Sequence, residues 1–311
     1  MKVLVTGGAG FIGSHVVDAL VNRGDDVAII DNFSTGFEKN INPAATLYRA
    51  SICSTGIEKV FKQEKPQIVF HLAAQTSVMQ SITNPAYDAA VNILGSLNVI
   101  GNCVKYGVQK IVYSSSCALY GTPEYLPVDE IHPVKALSPY GVSKHTVEHY
   151  LSQYHSVYGL SFVALRYANV YGPRQNPHGE GGVVAIFAGK MLGGEKPTIY
   201  GLGDKSRDYI YVDDVVRANI MAAESGEIGI FNIGTGKETL DQTVFELISR
   251  ECNYSALPIY AAERPGEIKR MYIDNSRAVK ILKWNPHVHI REGITMATAY
   301  YKKELVAKTR L

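Results

Sequence analysis

At 311 residues the chain can build two hydrophobic cores, or one large α/β domain carrying a smaller one, and 46% hydrophobic with 19% charged residues is ordinary for a folded soluble protein. A formal net charge of +2 is too small for a nucleic-acid or polyanion binder, no apolar run reaches the roughly 18 residues that span a bilayer, and Met1-Lys2-Val3-Leu4-Val5 runs into glycines instead of a signal-peptide core. The scattered Cys53, Cys103, Cys117 and Cys252, with no C-x-x-C pair, argue against a disulfide framework or a structural zinc and for a reducing cytoplasm.

The first half alternates β-branched runs with helical periodicity. Lys2–Thr6, Asp26–Ile30, Thr46–Arg49, Gln67–His71, Lys110–Ser114 and Ser161–Tyr167 read as strands, and Phe11–Arg23, Thr55–Gln63, Pro85–Tyr106 and Pro139–Tyr158 as the helices between them. Strands joined by helical crossovers pair in parallel. The pattern therefore predicts an α/β fold, a doubly wound parallel sheet whose ligand crevice lies beyond the carboxyl ends of its strands.

After Tyr171 the texture changes. Gly172–Gly203 is rich in Gly and Pro, with a helix at Val183–Leu192. A helix over Asp213–Glu224 and a strand over Ile228–Ile233, ending in Gly234-Thr235-Gly236, return to the main sheet. Helix Leu240–Arg250, strand Pro258–Ala261 and helices near Ser276–Leu282 and Arg291–Val306 suit a smaller, substrate-facing α/β lobe. Without a repeat or a linker the two units interleave: residues 1–171 with 208–238 make the larger, and 172–207 with 239–311 the smaller.

Gly7-Gly8-Ala9-Gly10-Phe11-Ile12-Gly13 follows the first strand and opens the first helix. Glycines there allow a tight turn, close approach of a pyrophosphate to the backbone, and a helix N-terminus that offers free N–H groups to phosphate. Asp31 ends the second strand, where a carboxylate accepts from both hydroxyls of an adenosine ribose and repels a 2′-phosphate. No arginine sits immediately beside it in sequence, which favours NAD over NADP. The competing role for Asp31 is capping the Asn32–Gly36 turn.

Ser138-Pro139-Tyr140-Gly141-Val142-Ser143-Lys144 sets Tyr140 and Lys144 one turn apart on one helix face. A free phenol titrates near 10. An ammonium one turn away, with the positive nicotinamide ring, favours the phenolate, and a fall of roughly three units makes Tyr140 a base near neutral pH. Ser114-Ser115-Ser116 ends the fifth strand at the crevice edge, from which Ser116 can bond a reacting oxygen and share its proton with Tyr140. One or two of these serines are expected to satisfy local backbone instead.

The glycine motif, Asp31, His71-Leu72-Ala73-Ala74-Gln75, the three serines and Tyr140-x-x-x-Lys144 resemble the extended short-chain dehydrogenase/reductase family over essentially the whole chain. Asn169 in Leu165-Arg166-Tyr167-Ala168-Asn169, with Arg207-Asp208-Tyr209-Ile210-Tyr211-Val212-Asp213-Asp214, points to its nucleotide-sugar epimerase/dehydratase branch. The resemblance implies a Rossmann sheet and bound NAD, and makes Ser116, Tyr140 and Lys144 catalytic. It also implies cofactor contacts from Gly7, Gly10, Phe11, Ile12, Gly13, Asp31, Asn32, Ser34 and Gly36, and from Ser51, Ile52, Leu72, Ala73, Ala74, Gln75, Tyr140, Lys144 and Tyr167. Ser51 departs from the pattern, since relatives carry an acid there.

The branch shares oxidation of the sugar at C4 and differs in the fate of the keto intermediate. Dehydratases and decarboxylases carry acids just after the catalytic hydroxyl, where this chain has Cys117 and Ala118. The resemblance therefore implies 4-epimerisation, with UDP-glucose and UDP-galactose as the substrate pair. A UDP-N-acetylhexosamine or UDP-uronate epimerase, a 4,6-dehydratase, and a non-enzymatic dinucleotide sensor stay open; such sensors lose the Tyr/Lys pair that this chain keeps. By the same resemblance the substrate residues are Ser116 and Tyr140, then Asn169, Arg207 and Arg264 at the diphosphate, Glu267 at the ribose, Thr198 and Tyr200 at the uracil, and Met271 beside the sugar C2 substituent. The competing roles are an Arg207–Asp208 surface ion pair and a lobe-to-lobe brace for Arg264.

His145 and His149 lie four apart but lack the glutamate spacing and third ligand of a metal site, so no metal is expected. The resemblance implies a homodimer, with the helices at Pro85–Tyr106 and Pro139–Tyr158 paired as a four-helix bundle. Gly95, Gly101, Tyr150, Tyr154 and Tyr158 fit a close helix–helix surface there, or packing within one subunit.

Overall fold

The computed structural model describes residues 1–178, 182–263 and 268–309. Strands β1 (Lys2–Thr6), β2 (Asp26–Asp31), β3 (Thr46–Arg49), β4 (Ile68–His71), β5 (Lys110–Ser116) and β6 (Ser161–Tyr167) join a returning strand, Gly229–Ile233, in one sheet. From that returning strand the order runs β6, β5, β4, β1, β2, β3, and every pair is parallel. The order reverses between β1 and β4, so the crevice opens at their carboxyl ends.

Side chains alternate along each strand between two cores. Val3, Val5, Ile29, Phe70 and Val112 pack on one face with Val16, Val17 and Leu20 of the first helix and Val215, Ala218 and Ala222 of the helix Val212–Glu224. Leu4, Ile30, Val69 and Ile111 pack on the other with Phe61, Val99, Cys103, Val147 and Leu151. Burial on both faces explains why the strands read as unbroken apolar runs.

The smaller elements form three short sheets. Asn169–Tyr171 pairs with Tyr209–Tyr211, Ser206–Arg207 lies between Thr239–Leu240 and Arg270–Met271, and Thr198–Tyr200 pairs with Ile259–Ala261. Helices Val183–Leu192, Asp241–Cys252 and Ile290–Thr309 pack together beside them, with Phe187 edge-on to Phe245.

Beyond shifts of a residue or two at other element ends, three differences bear on the site. β5 continues to Ser116, since β6 offers it a backbone partner as far as Tyr167. The helix expected over Pro85–Tyr106 widens into a π-type stretch at Ala90–Leu94 between Pro85–Ala89 and Gly95–Lys105. A short helix, Val78–Thr83, precedes it, capped by Ser77 Oγ accepting from Gln80 N at 2.8 Å. Among the described residues no helix is long and apolar enough to cross a membrane.

Candidate active site

β1 delivers the chain into a turn with no room for side chains. Gly7 has φ +75°, and a Cβ there would meet Ala73 N at 2.7 Å. At Gly13 a Cβ would lie 2.1 Å from Gly7 O, and at Gly36 it would lie 2.8 Å from Ala9 Cβ. The loops after β1, β2 and β4 therefore close on one another, and the cradle fits a ligand held by backbone. The helix Phe11–Asn22 starts at Gly10 with no side-chain cap, leaving its first-turn N–H groups to an anion such as pyrophosphate.

Asp31 holds the turn as well as offering an acceptor. Its carboxylate accepts from Ala9 N at 2.9 Å and Phe33 N at 2.8 Å, so turn capping is real. A carboxylate has about four acceptor sites, which leaves capacity for ribose hydroxyls. Asn32 Oδ1 accepts from Ser34 N at 3.1 Å in the same turn. The sheet adds what the sequence hides: Arg49 lies opposite Asp31 in the β2–β3 register. Its guanidinium stacks 4.5 Å from the Phe33 ring centre and pairs with Glu38 at 2.6 Å, so the arginine absent along the chain is present across the sheet, already engaged by an acid. Ser51 Oγ accepts from Cys53 N at 3.2 Å, and the carbonyl of buried Ile52 accepts from Asn98 Nδ2 at 2.7 Å.

The floor beneath β4 is polar and fully partnered. His71 bridges Thr6 Oγ1 at 2.7 Å and Ser96 Oγ at 2.9 Å, and burial pushes its ring down to about 3, so it is neutral. Leu72, Ala73 and Ala74 line the loop above, with Thr6 Oγ1 accepting from Ala73 N at 3.2 Å. Gln75 accepts no exposed role: its amide donates to Asp88 Oδ1 at 2.9 Å and its N–H to Asn92 Oδ1 at 2.8 Å.

Ser138 Oγ caps the helix Pro139–Tyr158 by accepting from Gly141 N at 3.3 Å, with Pro139 in the first turn. This starts the helix so that Tyr140 and Lys144 follow on one face. Lys144 Nζ donates to Ser114 O at 2.8 Å and lies 5.9 Å from the Tyr140 ring centre. The Ser116 hydroxyl lies beside the phenol of Tyr140 and opposes part of the effect of its burial, and it accepts from Ala118 N at 3.2 Å. The other serines face inward, where their partners are buried side chains and not local backbone: Ser114 Oγ pairs with Tyr167 OH at 3.1 Å, and Ser115 Oγ donates to Glu148 Oε1 at 2.6 Å. Tyr167 also donates to Asn219 Oδ1 at 3.0 Å, so its hydroxyl is turned from the crevice.

The electrostatics correct one expectation. Burial pushes Tyr140 up to about 12, only partly opposed by the Ser116 hydroxyl. Burial also pulls Lys144 down to about 8, against the charges of Asp88 and Glu148. For the chain by itself, lost solvation of the phenolate is the largest cause, which leaves the lowering of Tyr140 to the positive ring of a bound nicotinamide. Cys117, beside Ser116, is pushed up to about 12 by burial and stays a neutral thiol.

Sequence reasoning missed Glu148, one further turn along the same face. It grips Arg166 through two bonds, Nε to Oε1 at 2.9 Å and Nη2 to Oε2 at 2.6 Å. Arg166 Nη1 donates to Tyr120 OH at 2.8 Å, and Tyr120 donates to Asn232 Oδ1 at 2.7 Å. The repeated four-residue spacing Tyr140, Lys144, Glu148 was the available signal. The rings of His145 and His149 meet at 2.9 Å between their Nε2 atoms; among the described residues no group of three metal-binding side chains occurs.

Of the residues expected to hold substrate, Arg207 and Met271 come together in one small sheet. Asn169 is exposed, opposite Tyr209 in register, and Met271 is buried opposite Arg207. Arg207 Nη1 donates to Ser206 O at 2.8 Å. The alternative of an ion pair with Asp208 is not met: that carboxylate is buried and accepts from Thr235 N at 2.8 Å and Gly236 N at 3.0 Å. Thr198 and Tyr200 lie on a separate two-stranded sheet. Arg264 and Glu267 fall outside the described residues.

A backbone cradle for a dinucleotide thus meets a hydroxyl, a phenol and an ammonium, as hydride and proton transfer requires. Comparison with known proteins agrees. The model of the NAD dependent epimerase/dehydratase family matches residues 3–234. The chain is 39% identical to the UDP-glucose 4-epimerase of Mycolicibacterium smegmatis, covering 98% of this chain and 99% of that protein. It is 45% identical to the Thermotoga maritima UDP-glucose 4-epimerase solved with UDP-glucose, at TM-score 0.96 over 98% of this chain and 100% of that one. It is 42% identical to the Thermus thermophilus UDP-glucose 4-epimerase solved with NAD, at TM-score 0.92 over 97% and 99%.

Proposed function

The chain belongs to the NAD-dependent epimerase/dehydratase family, and from that premise we propose that it interconverts UDP-glucose and UDP-galactose through a transient 4-keto sugar. The observation that carries the reading is the placement of Ser116 beside Tyr140 at the crevice, with Cys117 and Ala118 following Ser116 in place of an acid. The glycine cradle, Asp31 and the Leu72–Gln75 loop suit NAD, which when bound supplies the hydride acceptor and a positive ring that favours the Tyr140 phenolate.

Tyr140 takes the proton of the sugar 4-hydroxyl while Ser116 holds the same oxygen and lowers the cost of its developing charge. Lys144, anchored to Ser114 O, keeps a positive charge beside the phenol's oxygen. With no carboxyl at 117 or 118 and a neutral Cys117 thiol, neither position supplies a base for the carbon beside the ketone. The keto sugar is left to turn in the site and recover its hydrogen on the other face.

Asn169 and Arg207, with Arg264, suit the diphosphate; Glu267 suits the ribose, and Thr198 and Tyr200 the uracil. The division into a dinucleotide-binding unit (1–171 with 208–238) and a nucleotide-sugar lobe (172–207 and 239–311) belongs to the same proposal. So does a homodimer through the helical segments Pro85–Tyr106 and Pro139–Tyr158, supported by the exposure of Leu94, Val142, Val157 and Tyr158 at 63%, 53%, 59% and 58%. Four unpaired cysteines are compatible with a cytoplasmic setting.

Incubating the purified protein with UDP-galactose and no added NAD tests the reading. UDP-glucose is the expected product; stoichiometric NADH or a 4-keto-6-deoxy sugar would overturn it. Met271, buried beside Arg207, favours sugars without a bulky C2 group, so UDP-N-acetylgalactosamine is expected to turn over more slowly.

A further inference from the structure

Asp88 is 1% exposed and sits in the first turn of the helix Pro85–Ala89. Its Oδ1 accepts from two neutral amides, Gln75 Nε2 at 2.9 Å and Asn92 Nδ2 at 3.0 Å. Among the described residues it makes no ion pair. Lys144, 3% exposed, likewise donates to a carbonyl and to no carboxylate. Glu148, nearer in sequence, is taken by Arg166. Two opposite charges are thus buried with neutral hydrogen-bond partners and, among the described residues, no ion-pair partner, and a buried charge without a counter-charge is costly.

The elements between them bring the two together. The π-type stretch Ala90–Leu94 turns Asn92 inward, so that its Nδ2 reaches both Asp88 and Ser143 Oγ, the latter at 3.2 Å, one residue before Lys144. We propose that Asp88 is the buried counter-charge of Lys144, a positioning residue that keeps the ammonium charged and registered with the crevice through Gln75 and Asn92. The inference rests on the catalytic reading of Tyr140 and Lys144. The titratable groups facing Lys144 are His71 from β4, Tyr113 from β5, Tyr140 and Glu148 from its own helix, and Asp88. His71 is neutral, the phenols are pushed up by burial, and Glu148 is neutralised by Arg166. Asp88 is the remaining anion, and its charge opposes the burial that pulls Lys144 down. It also ties the lysine to Gln75 of the cofactor loop, so one carboxylate serves both halves of the crevice.

The test is the pH profile of kcat for the NAD-loaded enzyme with UDP-galactose, in the wild type and in Asp88→Asn. Neutralising Asp88 is expected to move the alkaline limb down by about one to three pH units, with KM for UDP-galactose little changed. An unshifted limb in a folded variant overturns the proposal. Titration of the Lys144 ¹³Cε resonance, assigned with Lys144→Arg, reads the same charge without turnover. Should UDP-sugars prove not to be substrates, the catalytic reading fails while this titration still decides the pairing: a lower Lys144 midpoint in Asp88→Asn supports it and an equal one sinks it. If Asp88→Asn does not fold, the double variant Asp88→Asn/Lys144→Met decides, recovery of folding supporting the pair and continued failure overturning it.

Discussion

Lys144 Nζ donates to the carbonyl oxygen of Ser114 at 2.8 Å, which pins the helix bearing Tyr140 to the strand bearing Ser116. With the Ser115–Glu148 bond that joins the same two elements, it fixes the dyad against the serine, and Tyr140 keeps its place even when its own hydroxyl is removed. Tyr140→Phe should leave the fold and KM for the UDP-sugar nearly unchanged while kcat falls about 10²- to 10⁴-fold, the range of a lost general base. Single-turnover reduction of bound NAD, followed by absorbance, separates the chemical step from release. Turnover near wild type in Tyr140→Phe would remove the proposed proton path.

His71 sets an acid limit on stability. Its ring, buried between Thr6 and Ser96, is pushed from an ordinary value of 6.5 to about 3. As pH falls below about 6.5 the unfolded chain takes up a proton that the folded one refuses, so stability is full above that value and is lost progressively down to about 3. The linkage has a ceiling of roughly 5 kcal/mol. Urea midpoints at pH 7.5 and pH 5 should separate more in the wild type than in His71→Gln. Equal separation would assign acid sensitivity elsewhere.

Local chemistry made much of this molecule readable in advance. The glycine turn, the capped start at Ser138-Pro139 and the apolar runs are short-range signals, and they placed the sheet, the cradle and Tyr140 with Lys144. What stayed hidden depends on pairings distant in sequence. Arg49 reaches the neighbourhood of Asp31 only because β3 lies beside β2. Asp88 reads as an ordinary first-turn acid until the widened turn at Ala90–Leu94 bends Asn92 toward it. The expected depression of Tyr140 considered charge alone, whereas enclosure by the fold supplies the larger, opposite effect.

Gly13 offers a steric test of the cradle. A Cβ there would lie 2.1 Å from Gly7 O, a backbone atom fixed by the turn at Gly7, so no side-chain rotation relieves the clash. Gly13→Ala must shift the first helix or the loop, and either opens the phosphate cradle. NAD affinity is expected to fall at least about 100-fold, equivalent to about 3 kcal/mol, in fluorescence titration of the apo-enzyme. Gly101→Ala, where a Cβ meets nothing within 4 Å, is the matched control and should bind NAD as the parent does.

The buried pair Glu148–Arg166 separates support from chemistry. Burial pushes the Glu148 carboxyl up, but bonds from Arg166, His145 and Ser115 outweigh it and hold the group below its ordinary range. Its stabilising contribution is thus present above about pH 4.5 and is lost as pH falls through the lowered value. Glu148→Gln strands the guanidinium of Arg166, 3% exposed, at an expected cost of about 3–5 kcal/mol. Replacing both by Met should recover much of that loss, since two apolar side chains leave no unmatched charge. Because Ser115 also donates to Glu148, the double variant frees the strand next to Ser116. It should therefore unfold in urea near the wild type yet turn over more slowly, a combination that a purely structural ion pair does not give.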